Sequence, residues 1–125
     1  MPAPIGHRRW AIAEGYIPAH SHGPSPEMVS HETVCILNVS GEPAELRITV
    51  YFDDRDPAGP YRLRVEPQRT VHLRLGELDD PEPIPEATDY ATLVESSVSV
   101  VVQHSRLDSR QAENALMSAM AFGAD

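Results

Sequence analysis

The sequence predicts an all-β fold, a single-domain antiparallel β-sandwich of jelly-roll-like layering with about seven or eight strands. Three observations carry that prediction. Ala44 to Phe52 alternates cleanly, with Ala44, Leu46, Ile48, Val50 and Phe52 on one face and Glu45, Arg47, Thr49 and Tyr51 on the other. Val98, Val100, Val101 and Val102 form a β-branched run of the kind that fills a buried strand. Between such stretches lie connections rich in the chain's 12 prolines and 7 glycines, residues that end strands and make turns. At 125 residues the chain is large enough for one core and too short for two.

Taken in order, Trp10 to Gly15 reads as a short strand with Trp10, Ile12 and Glu14 on one face. Tyr16 to Glu27 holds three prolines and a glycine and reads as a loop. Within Ser30 to Asn38, Thr33 to Leu37 is apolar on both faces, as in a central strand. Parity places Glu32 beside Val34, Ile36 and Asn38, so this carboxylate lies on the line of a buried face and needs a partner. Cys35, the only cysteine, cannot form an internal disulfide and reads as a small core residue rather than a nucleophile.

Tyr61 to Val65 and Thr70 to Leu75 follow, with Tyr61, Leu63, Val65, Val71, Leu73 and Leu75 inward. A hairpin with Val65 opposite Val71 would align both apolar faces. It would also set Arg64 across from His72 and Arg62 across from Arg74, a basic stripe on an acidic protein. The plain expectation for that stripe is pairing with nearby acids, with a DNA or partner contact as the alternative. Gly76 to Asp89 reads as an irregular crossover. Tyr90 to Glu95 and Val98 to Ser105 read as the final paired strands. The tail from Arg110 to Phe122 fits either a helix, through Ala112, Leu116 and Met120, or one more strand.

The net charge is −9, and all ten basic side chains are arginine. Between Leu75 and His104 there are seven acids (Glu77, Asp79, Asp80, Glu82, Glu86, Asp89 and Glu95) and no arginine. Such a surface repels polyanions unless arginines gather elsewhere, which argues against generic DNA binding. No apolar run approaches the roughly 20 residues of a membrane helix. The first ten residues show no secretory h-region, so a cytoplasmic location is expected.

The chain centres on Val98 to Asn114, where the valine run leads into a dense polar cluster. A strand that buries itself and then presents polar groups at its end holds them with little ordering cost. A core strand leaving through a solvated loop has the same pattern. Glu14 and Glu32 would serve general acid–base chemistry if they converged. No catalytic motif accompanies them, and no Gly-x-Ser-x-Gly elbow or phosphate loop is present, so no enzyme and no cofactor is expected. His20-x-His22, with His31 and His104 as completions, lacks the cysteines and spacing of a zinc site, and no metal is expected. Trp10, Tyr16, Tyr51, Glu32, Asn38, Gln103, His104, Arg106 and Asp108 together supply stacking faces and forked donors suited to a polyhydroxylated ligand.

Three stretches, WAIAEGYIP (Trp10 to Pro18), SHETVCILN (Ser30 to Asn38) and VVQHSRLDSRQAENALMS (Val101 to Ser118), closely resemble the sensory rhodopsin transducer family. GPYRL (Gly59 to Leu63) and DDPEPIP (Asp79 to Pro85) fit as well, so the likeness runs from about Ile5 to Phe122. The resemblance implies a cytosolic all-β sandwich that assembles as a homotetramer, linked to a membrane photoreceptor and connected to DNA in transcriptional control. The wider superfamily implies small-molecule binding, with sugars the favoured class. On the matching positions, Glu32, His104 and Arg106 become the expected centre of a ligand site, with Trp10, Glu14, Tyr16, Asn38, Gln103 and Asp108 around it. Each has a structural alternative: Arg106 would neutralise Glu32, and Asn38 and Asp108 would hold turns. Ala19 to Pro26 matches poorly and brings His20 and His22.

The leading expectation is a non-enzymatic signalling protein that binds a small polar molecule such as a sugar and relays its state to partners. The alternatives are a carbohydrate-binding protein of sugar metabolism, a DNA-associated regulator using Arg62, Arg64, His72 and Arg74, and a sugar-acting enzyme using Glu14 and Glu32.

Overall fold

The computed structural model describes residues 3–19, 21, 29–111 and 113–125. Its elements are β1 (His7–Tyr16), β2 (His31–Asn38), β3 (Ala44–Phe52), β4 (Ala58–Val65), β5 (Arg69–Arg74), a single 3-10 turn (Leu75–Glu77), β6 (Asp89–Asp108), β7 (Ala115–Met120) and β8 (Phe122–Ala124). All eight strands pair antiparallel. Sheet I runs β4-β3-β6-β1-β8, and sheet II runs β5-β2-β6-β7. Among the described residues no helix is long and apolar enough to cross a membrane.

The 20-residue β6 belongs to both sheets. Its first half lies between β3 and β1, from Tyr51↔Ala91 and Ile12↔Thr92 onward. Its second half lies between β2 and β7, with Val34↔His104↔Ala119 in one row. The sequence suggests two paired strands here, and the structure shows one continuous strand instead. Ser96 and Ser97 sit at the hand-over and keep the bend satisfied: Ser96 Oγ accepts from Val98 N at 3.3 Å, and Ser97 Oγ from Glu45 N at 2.9 Å. Strands that change sheet through such a bend close the corner of a sandwich. Tyr90, Thr92, Val94, Val100, Val102 and His104 are all buried, so even-numbered positions face the core in both halves.

β4 and β5 do not form the expected hairpin. Val65 pairs with Ala44 on β3, and Val71 with Ile36 on β2. The inward sets predicted for both strands hold, because alternation decides which face is buried. It does not decide the neighbour, and here the chain arches from one sheet to the other. The basic stripe is thereby divided: Arg62 and Arg64 lie opposite Arg47 and Glu45 in sheet I, while His72 and Arg74 lie opposite Cys35 and Thr33 in sheet II.

The core joins Trp10, Ile12, Leu46, Ile48, Val50 and Tyr61 of sheet I with Val34, Ile36 and Val102 of sheet II. Trp10 is buried, and its indole N–H donates to Val100 O at 2.9 Å and His7 O at 3.0 Å, covering a register shift in β1. The crossover from Gly76 to Thr88 lies against the core through buried Ile84, and Tyr61 Oη donates to Glu82 O at 2.7 Å. The tail is resolved in favour of strand. Among the described residues β7 pairs with β6 alone and is exposed along its whole length, and β8 pairs with β1.

Candidate functional site

A polar cluster lies inside one end of the sandwich, built from β1, β2 and both ends of β6. Glu32 is 2% exposed and stands directly opposite Arg106 in the β2–β6 register. Its Oε1 accepts from Arg106 Nη2 at 3.0 Å and from the Tyr16 backbone N–H. Arg106 Nη2 also donates to Glu14 Oε2, so one guanidinium bridges a buried and an exposed carboxylate. Burial alone would lower the Arg106 pKa, but its hydrogen bonds to Glu14 and Glu32 more than offset this and raise it. The Arg106 charge is therefore fixed.

The placement of Glu14 depends on a bulge. Ile12 pairs with Thr92 and Gly15 with Tyr90, so Ala13 and Glu14 together span the one position Ala91. The bulge turns Glu14 outward toward Arg106 and brings Gly15 inward. A Cβ on Gly15 would lie 2.3 Å from Tyr90 Cε1, so glycine is what allows the Tyr90 ring to pack there.

The remaining polar atoms face one another. Glu32 Oε2, Tyr90 Oη, both ring nitrogens of His104 and Arg106 Nε are buried without a well-formed hydrogen bond. Burial first, and the nearby Glu32 carboxylate second, push the Tyr90 phenol far above its ordinary pKa, so it stays neutral. Glu14, Glu32, Tyr90, Thr92 and His104 border a space of only about 10 Å³. That is about the room one water molecule needs, whereas pockets for small molecules span roughly 300–1,000 Å³. This space as it stands has no room for a sugar.

Of the residues expected around the site, Glu14, Glu32, His104, Arg106 and the backbone of Tyr16 come together. Tyr16 places its ring 5.7 Å from the Arg110 guanidinium. Asp108 is bound by Arg110, with Nη2 at 2.6 Å, and this pairing holds its carboxyl below the usual range. Asn38 is fully buried at the far end of β2. Its Nδ2 donates to Glu42, Val65 and Glu66 carbonyls at 2.8, 3.2 and 3.3 Å, and its Oδ1 accepts from Ser40 N and Oγ. Gln103 points to the outer face of sheet II and donates to Ser118 Oγ at 2.6 Å. Trp10 is committed to the core.

Tyr90 and Thr92 join the cluster without having been singled out in the sequence. The available signal was their even-numbered parity with His104 and Arg106 along one strand. Cys35 sits half-buried between His72 and Gln103 on the outer face of sheet II, not in the core, and burial pushes its thiol pKa up, away from reactive thiolate character. His20 and His22 lie outside the described residues. Among the described residues no group of three or more His, Cys, Asp or Glu side chains is arranged to hold a metal ion.

Comparison with known proteins agrees with this architecture. A crystal structure of Thermotoga maritima 1070 superposes with a TM-score of 0.87 at 36% identity, covering 97% of each chain. The Anabaena sensory rhodopsin transducer superposes with a TM-score of 0.75 at 53% identity, covering 82% of this chain and 99% of its own. No curated protein matches the chain. Residues 5–123 match the family described as Anabaena sensory rhodopsin transducer, nearly the whole sequence. The chain belongs to the Anabaena sensory rhodopsin transducer family.

Proposed function

We propose that this protein is a non-enzymatic cytoplasmic signalling adaptor that relays the state of a membrane sensory rhodopsin through protein contacts, working as a homo-oligomer. The observation that carries the reading is the overhanging β7 strand with its continuation into β8. Leu116, Met120 and Phe122 are 75%, 58% and 73% exposed, and β7 leaves one edge without a neighbour among the described residues. A free edge flanked by large apolar side chains is a surface made for covering by another chain. The occupant assigned to it is a second copy, since paired β7 edges would bury these apolar groups symmetrically. Membership of a transducer family supports a rhodopsin as the upstream partner.

The test is co-purification of the tagged protein with a sensory rhodopsin from the same source in detergent. Retention that survives washing and is lost on illumination or in the dark supports the adaptor. Repeated absence of the receptor from the eluate overturns it.

A second reading, binding of a small polar molecule such as a sugar, is favoured by one observation: the buried polar atoms around Glu32, Tyr90 and His104 are not fully satisfied. In that reading a ligand enters only after Glu14 and Arg106 part. A saturable thermal shift with one sugar, lost in Glu32→Gln, would establish it in place of the pure adaptor.

A further inference from the structure

Arg9, Arg47, Arg62 and Arg64 lie on paired strands of sheet I. Cross-strand register sets Arg62 directly opposite Arg47, Arg47 opposite Glu95, and Glu95 opposite Arg9. Like charges directly opposite on paired strands repel, and Glu95, 3.6 Å from Arg47, meets only one of the two. The neighbouring carboxylates are already engaged. Glu95 pairs with Arg47 at 3.6 Å, Glu45 pairs with Arg64, and Asp125 pairs with His7 at 2.9 Å. Arg8, Arg9 and Arg62 make no ion pair among the described residues.

These guanidinium groups rim a cleft of about 480 Å³. Its wall includes Ser96 and Ser97 at the bend of β6. Ser97 Oγ accepts a backbone N–H, which leaves its hydroxyl a proton to donate. Forked guanidinium donors beside a hydroxyl donor match the oxygens of a phosphoryl group.

We propose that this cleft binds a small phosphorylated anion of at least two negative charges, held by Arg9, Arg47 and Arg62. The size of the cleft suits a compact ligand. The carboxylates of Glu45, Glu95 and Asp125 interleave with the arginines and the chain carries a net charge of −9, so an extended polyanion leaving the cleft meets repulsion. This site is separate from the Glu32 cluster and does not rest on the adaptor reading.

The experiment is calorimetric titration of the purified full chain with inorganic pyrophosphate, with duplex DNA as a second titrant. The expected result is saturable binding of pyrophosphate that weakens about tenfold or more in Arg62→Ala and in Arg9→Ala, each a loss of charge-assisted hydrogen bonds. Arg55→Ala, which removes a guanidinium held by Asp54 in the β3–β4 loop, leaves the affinity unchanged. Thermal melting of Arg62→Ala is expected at or above the parent value, because a like-charge pair has been removed. Absence of saturable binding at millimolar pyrophosphate overturns the proposal. So does equal weakening by Arg55→Ala, or DNA binding through Arg62 that pyrophosphate does not displace.

Discussion

Arg106 and Glu32 face each other across the β2–β6 pairing, 3.0 Å apart, with the carboxylate sealed from solvent and the guanidinium reaching on to exposed Glu14. Arg106 is thus the link between an interior charge and the surface. Removing one member of such a pair leaves the other buried without compensation. Arg106→Ala should cost about 3–5 kcal/mol in urea unfolding, whereas Glu32→Gln combined with Arg106→Met should cost clearly less than the two single changes summed. Simple additivity would show that the pair is not coupled.

Tyr90 predicts a pH dependence. Its folded pKa is raised above the ordinary value of 10, so the folded protein favours the neutral phenol. The stability from this group is fully present below about pH 10 and is lost as pH rises toward the folded pKa, because only the unfolded chain releases the proton. Between about pH 10 and 11 the parent should lose about 1 kcal/mol more than Tyr90→Phe. Parallel stability curves for the two proteins would remove Tyr90 as the cause.

Gly15 is the residue that lets the bulge in β1 meet the Tyr90 ring. Gly15→Ala drives a methyl group into that ring, and the expected cost is about 1–3 kcal/mol by denaturant unfolding. A variant as stable as the parent would mean that Tyr90 moves aside freely.

Asn38 clips the end of β2 to the end of β4 through the Val65 and Glu66 carbonyls and to the β2–β3 turn through Glu42 O. Asn38→Ala should cost about 2–3 kcal/mol, the penalty of buried acceptors without a donor. Asn38→Asp should cost more, since a carboxylate would replace the donating amide against carbonyl oxygens. The same ranking is not expected if Asn38 serves only to contact a ligand, and melting curves without any ligand decide between the two.

The β7–β8 surface carries the prediction for assembly. Leu116→Asp and Met120→Asp should shift the mass measured by light scattering from oligomer to monomer while the circular dichroism spectrum stays that of a β protein. Both side chains are exposed, so neither change opens the core of the single chain. An unchanged oligomer would place the contact elsewhere.

Alternation along the chain identifies the strands in the first part of the chain and most of their inward faces, because a side-chain period of two is a local property of extended backbone, while the tail fits helix and strand alike. It placed Ala44 to Phe52 correctly, set Glu32 on a buried line, and assigned Tyr61, Leu63, Val65, Val71 and Leu73 to the core side. The resemblance in WAIAEGYIP, SHETVCILN and VVQHSRLDSRQAENALMS carried the family. Neighbours and closure were decided only by the tertiary structure. β4 and β5 read as a hairpin, but the arch between sheets that the structure shows buries the same residues. Tyr90 to Ser105 read as two strands because Ser96 and Ser97 mimic a turn, yet both halves of β6 keep one continuous parity around the bend. That bend brings Tyr90 and His104, distant along one strand, to the same small space as Glu32. The registers of β1, β6, β3 and β4 within sheet I set Arg9, Arg47 and Arg62 in one cross-strand row through Glu95. Local periodicity records which way a side chain points; which side chains meet is set by the pairing of segments far apart in the chain, where hydrogen-bonded registers and a shared core choose among arrangements that bury the same surface.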